Sequence, residues 1–293
     1  RAGGTPLGPA SGRLNENHAR ELLELHTLGV DGGYGQRDVQ ELARLLTGLG
    51  VDMNPPPDRA GAGPGDGLTV FRPGRHDAGD KTVLGQVVRG QRGERGWDEI
   101  LAQLQDLARH PSTARHVCRK LAVYLVADAP PAALVERLAA RFLATDGDIA
   151  QTLAALVDAP AFTASLGQKF KDPLHWIVSA ARLAGDSAAE PLVDVAPLLS
   201  ALGRLGQPLF GRTTPDGYPL DEAAWAGPGQ LATRFELARS LARLGVAAGQ
   251  PVPRFDPAAL PPLSAQTREV LAQTRSPLEH NALLLSSPDF MRR

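Results

Sequence analysis

The feature that most constrains the fold is a series of amphipathic segments in which apolar residues recur about every 3.6 positions, from Trp97 to the end of the chain. Several segments start at or near a proline. Pro111, Pro131 and Pro173 suit the first turn of a helix, where a missing N–H costs no hydrogen bond. The pattern predicts an all-α, multi-helix domain, with helices at 97–109, 112–126, 131–144, 148–157, 173–185, 191–203, 229–244, 264–273 and 276–285.

The part of the chain before Trp97 begins with residues rich in Gly, Pro and Ser at 1–13, which predict a flexible arm. Two amphipathic helices are expected after it, at 15–28 and 36–47. Each is followed by a glycine that can end a helix, so the pair forms an αα-hairpin. We expect residues 14–293 to fold as a single helical domain.

One short stretch of the sequence favours strands. Residues 68–71 and 81–84 alternate between apolar and polar side chains, and a turn-rich segment separates them. Alternation with a period of two is typical of strands that have one buried face. The sequence therefore predicts one small β-hairpin at about 68–85.

The charge balance argues against two classes of partner. The chain has 31 basic and 32 acidic residues and a net charge of −1, and no basic stripe is visible. Proteins that bind nucleic acid usually concentrate Lys and Arg on one face, so we expect no nucleic-acid partner. No apolar run reaches the roughly 18 residues that a membrane-spanning helix needs, so we expect no membrane span.

Metal and cofactor motifs are also missing from the sequence. His18 and His26 are eight residues apart, which separates them by about 12 Å along a helix, too far to share one ion. Gly-rich phosphate loops, paired cysteines and the serine-hydrolase elbow are not present. The single cysteine, Cys118, lies in a helical segment and is expected to be a buried, small apolar residue. We expect no bound metal and no cofactor.

The most distinctive segment is LNENHARELLELHTLG at 14–29, which resembles the signature of the bacterial domain-of-unknown-function-1800 family. Further segments resemble that family in the same order, so the resemblance covers nearly the whole chain. These segments are HDAGDKTVLG at 76–85, RKL at 119–121, KDP at 171–173, GQPLF at 206–210 and SPDF at 287–290. One departure is Tyr218, which stands where the family usually has tryptophan.

The resemblance implies a mainly helical bacterial protein that is usually longer at its N-terminus. Such proteins are commonly encoded beside an exported partner of the domain-of-unknown-function-1501 family, which has a phosphatase- or sulfatase-like fold. The resemblance implies no known activity. The chain starts at Arg1 and shows no signal peptide. We expect missing upstream residues, a periplasmic or secreted location, and a partner that is either that missing N-terminal segment or another protein chain.

The first predicted helix groups its polar side chains on one face. At 100° per residue, Asn17, Arg20, Glu21 and Glu24 lie together, while both histidines lie on or beside the apolar face. One interpretation is an ion-pair network in which Arg20 pairs with neighbouring glutamates. The other is a general acid/base pair of Glu21 and Glu24 whose pKa values are pushed apart, with Asn17 and Arg20 helping to bind a substrate.

His76 and Asp77 also have two interpretations, because the pair stands in a glycine-rich turn after a predicted strand. An adjacent His and Asp on a loop can form a functional dyad. Asp77 can equally accept a backbone N–H and stabilise the turn. If the dyad interpretation holds, Glu21 or Glu24 should lie near His76 around an open cleft.

The longest irregular segment is 206–228, and it contains Gln207, Tyr218 and Trp225. Loops of this length inside a compact domain often carry function. The two aromatic rings are candidates for lining a sugar or peptide groove. The alternative is that Trp225 packs in the core.

Two classes of function remain open on the sequence alone. The first is an exported accessory or scaffold protein that acts with a partner protein. The alternative is a hydrolase-like enzyme that uses Glu21, Glu24, His76 and Asp77, with a polysaccharide as a candidate substrate. A polar cluster joining the first helix to the 76–77 turn would favour the enzyme, and a broad uncovered apolar surface would favour the scaffold.

Overall fold

A computed structural model describes residues 14–52, 69–187, 194–246 and 249–293. The predicted arm at 1–13 lies outside the described residues. The chain is mainly helical and has only short strands in its described part, which confirms the predicted fold class. It divides into two compact units. Unit 1 comprises Arg1–Cys118 and Glu136–Leu153, and unit 2 comprises Arg119–Val135 and Ala154–Arg293.

The first part of the chain alternates short helices and strands. Its elements are α1 Glu16–Glu21, a π-helical turn Leu22–His26, α2 Gln36–Leu45, β1 Leu49–Val51, β2 Thr69–Phe71, a 3-10 turn Pro73–Arg75, β3 Lys81–Val83, β4 Gln86–Val88 and α3 Arg95–Ala108.

The remainder of the described chain is helical. Its helices are α4 Pro111–Leu125, α5 Ala132–Ala144, α6 Ile149–Val157, α7 Pro160–Ser165, α8 Pro173–Ser187, α9 Ala196–Arg204, α10 Pro228–Leu241, α11 Ala265–Ala272 and α12 Pro277–Ser286, with 3-10 turns Glu222–Ala224 and Pro257–Ala259. Pro111 and Pro173 begin helices as predicted. The short helix α7 was not predicted. Helix α9 begins at Ala196, and residues 191–193 of its predicted range lie outside the described residues.

The small hairpin is present, but it lies later in the chain than predicted. Strand β3 pairs with β4, and β2 pairs with β1, so the two predicted strands do not pair with each other. The reason is the connection Leu84–Gly85, where both residues have positive φ, 52° and 77°. That conformation suits a two-residue hairpin turn and pairs β3 with the strand that follows it directly.

The predicted helix at 15–28 changes its winding after Glu21. The π turn Leu22–His26 widens the helix, and the Thr27 hydroxyl donates to the carbonyl of Leu22 at 2.7 Å. His116 donates from Nε2 to the carbonyl of Leu25 at 3.0 Å. The regular 100° spacing used for the prediction therefore fails within this segment.

Only some side chains of this segment enter the core. His18 and His26 are both exposed, so neither histidine is part of the apolar core. Ala19 and Leu23 instead turn into the core. The buried positions are four residues apart, as one helical face requires.

Each unit has its own apolar core. In unit 1, Leu23 and Leu42 pack with Ile100 and Leu107. In unit 2 the core is formed by residues of α8 to α12 and by the closing segment of the chain, including Trp176, Phe255, Leu284 and Phe290. Cys118 is fully buried, as predicted, and burial raises the pKa of its thiol to about 11.

A test of the packing in unit 1 is Gly96→Ala. A Cβ at Gly96 would lie 2.6 Å from Cδ2 of His76 and 2.8 Å from Cζ of Phe71. We expect the free energy of unfolding, measured by urea denaturation, to fall by about 1–3 kcal/mol because the core there has no room. Gly203→Ala is the control, since nothing lies within 4 Å of a Cβ at that helical position. It should raise the stability by about 0.5–1 kcal/mol. Equal effects of the two substitutions would contradict the packing.

Candidate functional site

The turn that carries His76 is held by buried polar side chains of unit 1. His76 donates from Nδ1 to the carbonyl of Thr47 at 2.9 Å, and its Nε2 lies 3.4 Å from Oε2 of Glu99. Lys81 donates from Nζ to Oε1 of the same carboxylate at 2.6 Å. The side chains of His76, Lys81 and Glu99 are at most 1% exposed. Solvent therefore has almost no access to this imidazole.

Asp77 takes part in an adjacent ion pair. Its Oδ2 accepts from Nε of Arg44 at 2.9 Å, and its Oδ1 accepts from the N–H of Gly79 at 2.9 Å. Burial alone would raise the pKa of Asp77, but these hydrogen bonds and the charge of Arg44 lower the pKa below its usual value. The contact with Gly79 is the backbone-capping geometry that the turn interpretation predicts.

The two predicted catalytic glutamates each bond to a neighbour. Glu21 accepts from Nδ2 of Asn17 at 3.0 Å. Glu24 shares a hydrogen bond with Tyr34, and burial together with this carboxylate raises the pKa of the tyrosine. Within the described residues, no hydrogen bond or ion pair joins Glu21 or Glu24 to His76. No direct bond therefore joins the predicted acid/base group in this part of the chain.

Arg20 also differs from its expected pairing. It donates to Oε1 of Gln36 at 2.5 Å, and Gln36 in turn donates to Glu16 at 2.7 Å. The predicted direct pairs of Arg20 with glutamates on its own helix are replaced by this bridge. The reason is tertiary, because α2 packs against α1 and brings Gln36 within reach.

A cleft of about 530 Å³ lies beside the first helix in unit 1. Leu14, Leu46 and Val51 line it together with His18 and Arg75. The predicted catalytic residues do not line it. In the described part of the chain, no group of three or more His, Cys, Asp or Glu side chains is arranged to hold a metal ion.

In unit 2, the irregular segment at 206–228 begins at a tightly defined helix end. Gly206 has φ 76°, and the N–H of Gln207 donates to the carbonyl of Leu202 at 3.0 Å, which is a glycine-dependent helix stop. Gln207 is buried, and its Oε1 accepts from the N–H of Leu174 at 2.7 Å. The predicted binding residue Gln207 therefore joins the end of α9 to the start of α8.

The two aromatic residues predicted to bind a ligand lie together in the same segment, with ring centroids 6.3 Å apart. The hydroxyl of Tyr218 donates to the carbonyl of Pro208 at 2.7 Å, and Nε1 of Trp225 donates to the carbonyl of Pro219 at 2.9 Å. Trp225 is buried, as the core alternative predicted. Both polar atoms hold the loop together.

The loop presents two apolar side chains that the sequence analysis did not single out. Leu209 is half exposed, and Phe210 is fully exposed. Phe210 also has φ 56°, a left-handed conformation that residues with a side chain rarely adopt. The sequence signals were the family-like segment GQPLF and the position of this apolar pair between Pro208 and Gly211, two residues typical of turns. We call Leu209 and Phe210 the apolar tip.

A second stability test concerns the buried ions of unit 1. Lys81→Met leaves the Glu99 carboxylate buried without its strongest partner, so we expect a loss of about 3–5 kcal/mol in the free energy of unfolding. Adding Glu99→Gln should recover about 1 kcal/mol or more, because the residual charge is removed. Arg109→Met, which breaks an exposed pair with Asp146, is the control and should cost at most about 1 kcal/mol. If Lys81→Met lowers the free energy of unfolding no more than the Arg109→Met control does, the buried Lys81–Glu99 pair is contradicted.

The family model described as "Protein of unknown function (DUF1800)" matches residues 3–292, nearly the whole chain. No curated protein and no solved structure matches the chain. No helix in the described ranges is long and apolar enough to cross a membrane. Because the match covers far more than half of its residues, the chain belongs to the DUF1800 family.

Proposed function

We propose that this protein is an accessory or scaffold protein that docks onto a partner protein through its apolar tip. The observation that carries the proposal is Phe210, which combines a fully exposed aromatic ring with a left-handed backbone. Aromatic side chains that enter a pocket of a partner contribute much of the binding energy of protein interfaces.

The apolar tip lowers the stability of the isolated chain. An exposed Phe forgoes about 1.5–3 kcal/mol of burial, and a left-handed non-glycine residue costs roughly 1–2 kcal/mol. Conformations of this kind persist where the surrounding structure imposes them, and they cluster at functional sites. Folding alone does not account for this exposed and strained residue, whereas a role in binding does.

The loop holds the tip in place. The Tyr218 hydroxyl bonds to the carbonyl of Pro208 on one side of the tip. On the other side, a Cβ at Gly211 would lie only 2.5 Å from Cγ of Pro208, so the chain turns closely on itself there. A tip that is already ordered loses little conformational entropy on binding, which favours affinity.

The charges near the tip neutralise each other. Arg212 pairs with Asp216 at 2.8 Å, and Thr214 also donates to that carboxylate. The guanidinium of Arg212 lies over the ring of Tyr218, 6.0 Å from its centroid. The partner surface that complements such a tip is an apolar pocket with a polar rim, the usual anatomy of a protein interface.

The resemblance stated for the sequence supplies a specific partner to test. Proteins of this family are commonly encoded beside an exported domain-of-unknown-function-1501 protein, and we propose that such a protein receives the tip in the periplasm or outside the cell. The hydrolase alternative has less geometric support, because Glu21 and Glu24 do not contact His76, and the His76 side chain is only 1% exposed.

Co-purification tests this proposal. The protein and the neighbouring domain-of-unknown-function-1501 protein are co-expressed, and capture is compared between wild type and a double variant, Leu209→Ser with Phe210→Ser. The loss of an aromatic anchor should weaken binding by about 2 kcal/mol or more, roughly 30-fold in Kd. Leu166→Ser is the control, because Leu166 is also exposed in unit 2 but lies outside the tip.

The control should bind like the wild type. Equal capture by the double variant would contradict docking through the tip. If the wild type itself fails to capture this protein, the assignment of the partner is wrong.

A further inference from the structure

A chain of hydrogen bonds in unit 2 links a carboxylate, an imidazole and a phenol. Oδ2 of Asp172 lies 2.8 Å from Nδ1 of His175, and Nε2 of His175 lies 3.1 Å from the hydroxyl oxygen of Tyr124. In the sequence, Asp172 stands out only as part of the family-like segment KDP, and no pattern marks His175 or Tyr124. Tyr124 is 51 residues from His175 in sequence, so only the fold brings them together.

The direction of the proton follows from the chemistry of the groups. A carboxylate only accepts, so Nδ1 of His175 carries the hydrogen that bonds to Asp172, and Nε2 is free to accept from the phenol of Tyr124. Burial would raise the pKa of Asp172, but its hydrogen bonds with His175 lower the pKa below the usual value. Asp172 is therefore ionised at neutral pH and holds the imidazole in the tautomer that can take a proton from Tyr124.

Exposure increases along the chain of groups. The side chain of Asp172 is 12% exposed, that of His175 is 25% exposed, and Tyr124 is 37% exposed. The acid is thus enclosed while the phenol reaches solvent. The same order, with a buried acid, an intermediate imidazole and an accessible hydroxyl, occurs in triads that activate a nucleophile.

The local helix geometry fixes two of the three groups. Asp172 precedes α8, and its Oδ1 accepts from the N–H of His175 at 2.9 Å, as a helix N-cap does. Capping requires only one oxygen of the carboxylate. The second oxygen bonds to the imidazole of His175, and the imidazole bonds to the phenol of Tyr124 at the surface. The helix cap itself needs neither of these bonds.

Positive charge accompanies the phenol. The guanidinium of Arg293 lies over the ring of Tyr124, 4.9 Å from its centroid, and donates to the Tyr124 carbonyl at 2.6 Å. Lys171 is buried near Arg293 and Arg234, and burial together with these two charges lowers its pKa to about 8. Of these cations Arg293 is the one that contacts Tyr124, and positive charge beside a phenol favours a developing phenolate and an anionic substrate.

We propose that Tyr124 is the nucleophile of a group-transfer reaction on an anionic ester, of which phosphate and sulfate esters are the simplest members. The Tyr124 oxygen bonds to the central atom of the ester group, and the ester's bond to its leaving alcohol breaks. The phenolic proton passes to Nε2 of His175 and from there to the leaving oxygen. His175 is the general base, Asp172 is a positioning residue, and the reaction is independent of docking by the apolar tip.

The reactivity of Tyr124 can be measured without a natural substrate. An arylsulfonyl fluoride forms an O–S bond with an activated tyrosine, releases fluoride and leaves the phenolic proton on the base. The probe is 4-(fluorosulfonyl)benzoate, which is anionic, and peptide mass spectrometry gives the rate at each tyrosine. The chain has three tyrosines, so Tyr34 and Tyr218 are internal references. We expect Tyr124 to react at least about 10-fold faster than Tyr218, a threshold set below the roughly 10²–10⁴-fold that general base catalysis typically contributes.

Two variants separate activation from structure. His175→Gln keeps a polar side chain but removes the base, so the Tyr124 rate should fall to that of Tyr218. Asp172→Asn retains an oxygen for the helix cap and removes the charge that fixes the tautomer, so its rate should fall several-fold. Thermal unfolding midpoints near the wild-type value in Asp172→Asn show that the loss of rate is not a loss of fold.

The class of substrate is tested by the charge of the probe. The cationic 4-(2-aminoethyl)benzenesulfonyl fluoride should modify Tyr124 more slowly than the anionic probe. Two results would contradict the role of Tyr124 as nucleophile. One is a wild-type rate at Tyr124 no higher than that at Tyr218, and the other is an unchanged Tyr124 rate in a folded His175→Gln variant. Faster modification of Tyr124 by the cationic probe would contradict the assignment of an anionic substrate.

Discussion

The hydrogen bond from the N–H of Leu174 to Oε1 of Gln207 is the interaction on which the functional part of unit 2 depends. The first N–H groups of a helix have no partner within the helix. In α8, Pro173 has no N–H, Leu174 donates to Gln207, and His175 donates to Asp172. The buried side-chain amide of Gln207 therefore satisfies a free N–H at the start of α8 and joins it to the end of α9.

The apolar tip and the Asp172–His175–Tyr124 chain both start from this junction. Three residues after Gln207 the backbone reaches Phe210, so the fixed amide also fixes the base of the tip. A buried guanidinium supports the other side, since Arg234 donates to the carbonyl of Lys171 at 2.8 Å and lies against the rings of Phe170 and Trp176. Unit 2 thus holds rigid the segments that present its exposed functional groups.

In unit 1 a set of ionisable side chains is buried and paired rather than presented at the surface. His76, Lys81 and Glu99 satisfy one another out of contact with water. Carboxylates of α2 also protect the free edge of the hairpin, because Glu41 accepts from the N–H of Thr82 and Asp38 from that of Leu84. Such an edge is a liability for aggregation when it is left open. These charged side chains stabilise the fold and protect the paired strands.

The sequence was most informative where structure is local. Prolines at helix starts and apolar periodicity predicted nearly all of the helices, because both depend on neighbours a few positions away. The pairing of β2, the burial of His76 by Glu99 and the bond from Tyr124 to His175 depend on residues far apart in the chain. No spacing rule encodes those distances. The left-handed Phe210 was missed because its neighbours favour a turn without specifying its φ.

Whether the apolar tip is maintained for binding at the expense of stability is tested most directly by the variant Phe210→Gly. Glycine adopts the φ of 56° without strain, and the exposed ring contributes no burial. We expect the free energy of unfolding to rise by about 0.5–1 kcal/mol while binding of the partner is lost in the same sample. A variant that is less stable than the wild type, or that is more stable and binds as well, would contradict it.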